Sequence, residues 1–100
     1  MNNKGDLNEE FLKEIYEKYI TPLEEHDKIF STELKKTLDI YFQCNRNKTI
    51  TEKKLFIHKN TLRARIATIN KILDCNIDSV EDSFNIILAF KVQYFLNNKI

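Results

Sequence analysis

The 100 residues are 42% apolar and 31% charged, the balance of one globular domain rather than a disordered tail. A single glycine and a single proline leave too little turn chemistry for an all-β fold, and no glycine-rich phosphate loop can be written. The formal net charge is only +1. No apolar run approaches the roughly 18 residues that cross a bilayer, and the polar start MNNKGDLNEE lacks a signal peptide's apolar core, so a soluble, cytoplasmic protein is expected.

Apolar residues recur with the helical period along nearly the whole chain, which predicts an all-α bundle of about five helices. Residues 6–9 have the spacing of a capping box led by Asp6. The helix after it carries Phe11, Leu12, Ile15, Tyr16, Tyr19 and Ile20 on one side and stops before Pro22. A further turn is expected over residues 23–28. Ser31 is the expected cap of a helix over residues 32–42, with the stripe Leu34, Leu38, Tyr41 and Phe42. Residues 1–30 thus read as an N-terminal helical arm and 31–100 as the main domain.

Beyond the polar, basic loop 44–48, Thr49 and Glu52 repeat the capping-box spacing and open a very short helix to about Phe56. A longer helix over 59–73 sets Leu62, Ile66, Ile69 and Leu73 on one face, and Asn76 is the expected left-handed residue after it. Ser79 opens a last helix to about Leu96, in which ten of the fourteen residues 83–96 are apolar. Such a helix needs cover on more than one side. It either runs through the middle of the bundle or forms a subunit interface, with Phe84, Phe90, Tyr94 and Phe95 in core or interface.

Charge is unevenly placed. Ten of the sixteen basic residues fall between Lys35 and Lys71, where only Asp39 and Glu52 are acidic. That segment carries +8 and the remainder −7, which reads either as the footprint of a polyanion-binding surface with acidic flanks that orient it or as the solvated face of a lysine-rich protein. Within the basic block, a short helix, a tight connection and a longer amphipathic helix form the layout of a helix-turn-helix, with a simple or winged-helix-like core.

With the apolar stripe of helix 59–73 turned inward, Asn60, Ala64, Ala67 and Lys71 point outward and Arg63 lies on the flank. These five are the base-contact candidates. Arginine pairs with guanine, asparagine with adenine, and the small alanines admit close approach and touch thymine methyls. Arg46, Lys48, Thr49, Lys53, Lys54, His58, Lys59, Thr61 and Arg65 are the phosphate-contact candidates, aided by amides at the helix starts near Thr49 and His58. His58 also sits where a cap belongs, so a structural hydrogen bond outweighs a base contact. Arg65 lies about 60° from the apolar face, which favours pairing with an acid along the core edge.

Leu55-Phe56-Ile57-His58-Lys59-Asn60-Thr61-Leu62-Arg63-Ala64-Arg65-Ile66 resembles the L-F-I-H-R-N-T-L-R-Y-R-L signature of the C-terminal helix-turn-helix domain of PucR/CdaR-type transcriptional regulators. Upstream, Leu34, Thr37, Leu38, Tyr41 and Phe42 are similar to that family's L-x-x-T-L-x-x-Y-L. Downstream, Glu81-Asp82 and Leu88-Ala89-Phe90-Lys91 are similar to its closing E-D and L-A-L-K. The resemblance implies that His58, Asn60, Thr61, Arg63 and Arg65 belong to the turn and recognition helix of a DNA-binding domain. It also implies a long N-terminal sensor region, so the chain is expected to be either a domain of a longer regulator or a small protein in which residues 1–30 stand in as an interaction arm. Ala64 replaces the family's usual tyrosine, and Glu52 and Lys54 replace common alanines.

The expected function is sequence-specific binding of double-stranded DNA by a transcriptional regulator, with a possible homodimer through helix 80–97. The alternative is a protein-interaction module on a helix-turn-helix scaffold. No paired acids, Ser/His/Asp set or Cys/His dyad is legible, so no enzyme activity is expected. His26 is remote from His58, so no metal site is expected, nor any cofactor, membrane or small-molecule ligand. Cys44 and Cys75 read as reduced, partly buried side chains.

Overall fold

Six helices make up the computed structural model, which describes residues 9–97: α1 (Glu9–Tyr19), α2 (Thr21–Phe30), α3 (Leu34–Gln43), α4 (Lys48–Leu55), α5 (Lys59–Leu73) and α6 (Val80–Asn97). The capping box at Asp6 lies outside the described residues. No strand occurs among them, so the helix-turn-helix is of the simple kind and carries no wing.

The sixth helix is α2, where only a turn was expected. Pro22 lies in its first turn, where a missing N–H costs nothing, so the proline that ends α1 also starts α2. Ser31 does not cap α3. It is the left-handed residue ending α2, with φ 55°, and its N–H bonds to the Asp27 carbonyl. The Asp27 carboxylate caps α3 instead, accepting from Leu34 N at 2.8 Å and Lys35 N at 3.0 Å. A charged acceptor reaching across the turn out-competes a serine hydroxyl for those amides.

Two further caps are displaced from their expected places. Asn47, not Thr49, starts α4, its side-chain oxygen accepting from Ile50 N at 2.9 Å. Asp74, not Asn76, is the left-handed residue after α5, with its N–H bonded to Asn70 and Lys71 carbonyls. Asn76 instead accepts from Asp78 N, and the Asn70 side chain from Ile77 N. Ser79 does open α6 as expected, its Oγ accepting from Asp82 N.

α3, α4 and α5 pack on one another, α2 lies on α3 and α5, and α1 packs on α2 and along α6. One apolar cluster runs through all of them except α4, from Ile15, Tyr19 and Leu23 through Leu38 and Leu62 to Ile86 and Ala89. α6 does not run through the middle. Ser83, Ile86, Ala89 and Val92 form its buried face, while Phe84, Ile87, Tyr94 and Phe95 stand exposed, and Phe90 packs partly against the core.

Three tyrosines, two buried and one half-buried, tie separate parts of the chain together through carboxylates. The Tyr19 hydroxyl donates to Asp82 at 3.0 Å, Tyr41 to Asp78 at 2.9 Å and Tyr16 to Glu24 at 2.7 Å. Burial, with the adjacent carboxylate, pushes the Tyr16 and Tyr41 hydroxyls up to about 12. Burial also tends to raise the Asp82 carboxyl, but bonds from Asn76 N, Tyr19 and Ser79 outweigh it and hold Asp82 below its ordinary value. Glu24 is lowered in the same way, with its burial offset by Lys35 and Tyr16.

A carboxyl depressed in the folded state stabilises above its unfolded pKa and loses that contribution as pH falls through the folded one. Thermal melts are therefore expected to show stability falling below about pH 4, with a shallower acid limb in Asp82→Asn. An unchanged limb in that variant would remove Asp82 from the account. Cys44 and Cys75 are free thiols and half-buried. Burial, with Asp82 close by, pushes the Cys75 thiol up to about 11, which makes it a poor nucleophile.

Candidate nucleic-acid interface

The turn between α4 and α5 is three residues long, Phe56-Ile57-His58, and is built without glycine. Phe56 takes the left-handed conformation, φ 55°, and its N–H and that of Ile57 close the end of α4 on the carbonyls of Lys53 and Glu52. This satisfies the carbonyls a helix end leaves open. Ile57 packs against the core, whereas the Phe56 ring is 93% exposed. His58 then caps α5, its Nδ1 accepting from Asn60 N at 3.0 Å, in accord with the structural role its position suggested. The His58 carbonyl takes the amides of Thr61 and Leu62, so the start of α5 is largely satisfied from within.

His58→Ala is expected to cost about 0.5–2 kcal/mol, and His58→Asn, which keeps the acceptor, far less. Urea unfolding checks both, and equal losses in the two variants would remove the cap from the account.

α5 turns Leu62, Ile66, Ile69 and Leu73 into the core. Asn60, Arg63, Ala64, Ala67 and Lys71 are all exposed, on a helix without a single acidic residue. The described C-terminal helix leaves this ridge open. Ala64 lies at the surface, so the tyrosine common at this place in the family is missing from the surface and not from the core. Lys53 and Lys54, in the last turn of α4, and Lys59, at the start of α5, flank the turn and are exposed. Thr61 is exposed beside them.

Other basic candidates are engaged elsewhere. Arg65 is half-buried and donates to Thr37 Oγ1 at 2.9 Å, so it lies along the α3–α5 seam with a hydroxyl, not an acid, as its partner. Thr37 is fully buried and also bonds back to the Glu33 carbonyl, which fixes its hydroxyl as the acceptor from Arg65. Arg46 is left-handed, φ 60°, and ties the α3–α4 loop to the segment before α6 through the Asp78 carbonyl at 3.2 Å. Lys48 lies over the Tyr41 ring at 5.9 Å. Thr49 is exposed in the first turn of α4, and the Glu52 side chain makes no hydrogen bond among the described residues.

The helical period did not reveal a groove of about 970 Å³ beside the ridge, between the α2–α3 corner and α5. His26, Phe30 and Thr32 form one wall and Asn60, Thr61 and Ala64 the other. Its walls come from distant parts of the chain, so no local pattern announces it.

Residues 34–92, more than half of the chain, match the family described as the PucR C-terminal helix-turn-helix domain. The chain belongs to this family. It is thus a helix-turn-helix domain of the kind that binds DNA in transcription regulators, not one known for catalysis. The DNA-binding transcriptional activator AdeR of Bacillus subtilis (strain 168) is 28% identical over 79 residues, covering 79% of this chain and 19% of its own length. An uncharacterized protein of Haemophilus influenzae (strain Rd) is 35% identical over 69 residues, covering 66% of this chain and 19% of its own. The chain therefore spans 19% of the length of these curated relatives. No solved structure matches it. No helix of the described residues is long and apolar enough to cross a membrane.

Proposed function

We propose that this PucR-type domain binds double-stranded DNA sequence-specifically, with α5 in the major groove. One observation carries the reading. Asn60, Arg63, Ala64, Ala67 and Lys71 are exposed together on one acid-free helix whose opposite face is the core. Asn60 and Arg63 supply the bidentate donors and acceptors that distinguish bases, and the two alanines let the helix backbone approach them. Lys53, Lys54 and Lys59 neutralise phosphates on either side of the turn, with Thr61 as a further backbone contact. Arg65, held by Thr37, serves here as a positioning residue that fixes α5 on α3. A homodimer through helix 80–97 would present two such helices to half-sites about one helical turn, roughly 34 Å, apart.

Fluorescence anisotropy with duplexes selected from random sequence tests this reading. The three phosphate-neutralising lysines of one domain would give a slope of about −2.7 in log affinity against log salt. A slope near zero, or equal affinity for all sequences, would overturn the specific-reader function and favour a protein-interaction module.

A further inference from the structure

The apolar side of α6 that points away from the core has a regular spacing. Val80, Phe84, Ile87, Lys91 and Tyr94 follow one another at steps of four, three, four and three, the seam of a two-helix coiled coil. Phe84 is 65% exposed, Ile87 47% and Phe95, beside the seam, 63%. A second apolar face opposite a buried one is not required by the fold itself. Charge is placed along it with equal order. Asp82 is taken up by Tyr19, Ser79 and Asn76 N, but Glu81 beside it is exposed. Lys91, ten residues on, is exposed as well, and neither makes an ion pair among the described residues.

We infer that a second copy of this chain lays its own α6 antiparallel on this face, with Lys91 of each copy meeting Glu81 of the other. A two-fold axis level with Ile86, midway between the two charges, achieves both contacts at once. Such an interface is self-complementary, as a closed dimer requires. A parallel pair would set lysine on lysine and glutamate on glutamate. The groove between α3 and α6, about 800 Å³, opens along the edge of the seam and is floored by Phe42, Ile87 and Phe90. In the antiparallel register Phe84 of the second copy lies level with Leu88, at the Ile87 end of this groove. The inference rests on the homodimer proposed above and gives it a face, a direction and a register.

Sedimentation equilibrium of the 100-residue chain tests it. The chain is expected to dimerise, with Phe84→Asp weakening the dimer about a hundredfold and Lys91→Glu at least about tenfold. Phe84 and Lys91 are both exposed, so the variants should fold, which circular dichroism checks. Mixing Lys91→Glu with Glu81→Lys should restore dimerisation, because both cross-pairs are then attractive. A monomer at all concentrations, a dimer indifferent to Lys91→Glu, or a mixture that stays monomeric overturns the inference. The DNA reading fails separately. A monomer that still selects its half-site leaves that reading standing, and a dimer that binds no DNA removes it while sparing the interface.

Discussion

Tyr19→Ala is expected to destabilise the chain by about 3–5 kcal/mol, the range for truncating a fully buried aromatic side chain. Tyr19 is wholly inaccessible to solvent and packs in the cluster that includes Leu38, Leu62 and Ile86. Its hydroxyl reaches Asp82 in the first turn of α6 and accepts from Asn85 at 3.3 Å. Truncation removes the ring from the core and one of the hydrogen bonds that hold the Asp82 carboxylate. Small domains have only about 5–15 kcal/mol to lose, so the variant should be largely unfolded at moderate urea.

Tyr19→Phe separates the two terms, since it keeps the ring and should cost only about 0.5–1.5 kcal/mol. The comparison bears on where the domain begins. We propose that residues 9–97 unfold as one unit, and a loss below about 1 kcal/mol for Tyr19→Ala would show that α1 frays independently of the rest.

What was legible in the sequence follows a physical division. The stripe, the His58 cap and the exposed outer face of α5 could be read from the sequence because all three depend on local spacing. The caps at Asp27, Asn47 and Asp74 were displaced because several polar residues compete at each helix end, and tertiary geometry decides among them. Ser31, Phe56 and Asp74 adopt left-handed backbone although none is glycine or asparagine; the chain's one glycine, Gly5, is elsewhere, so composition could not point to them. The composition of α6 called for cover on a second side, yet within the single chain Phe84, Ile87, Tyr94 and Phe95 stand exposed there, and one chain's sequence cannot tell core from interface. Within the candidate site, exposure could be derived from the helical wheel. The place of Arg65 along the core edge could be derived in the same way, but its partner Thr37, and the bond from Arg46 to Asp78, could not, because each bond joins residues about thirty positions apart.

Arg63→Ala is expected to lower affinity for the selected duplex by about 1–3 kcal/mol, roughly 5- to 150-fold, and to relax choice at one base pair. Arg63 is exposed, one turn into α5 on the flank of the ridge, and has no hydrogen bond or ion pair to any described residue. Its guanidinium is thus available to a guanine edge without first breaking a bond within the protein. Arg63→Lys keeps the charge but loses the planar fork, so it should restore the salt slope and not the base preference. Lys54→Ala provides the contrast, since a phosphate contact should weaken all duplexes alike and flatten the salt slope by about one. Arg65→Ala provides another: by releasing Thr37 it should lower the unfolding free energy more than it alters sequence preference. If Arg63→Ala weakens every duplex equally, Arg63 grips phosphate, and the choice of sequence must come from Asn60 and the alanine face.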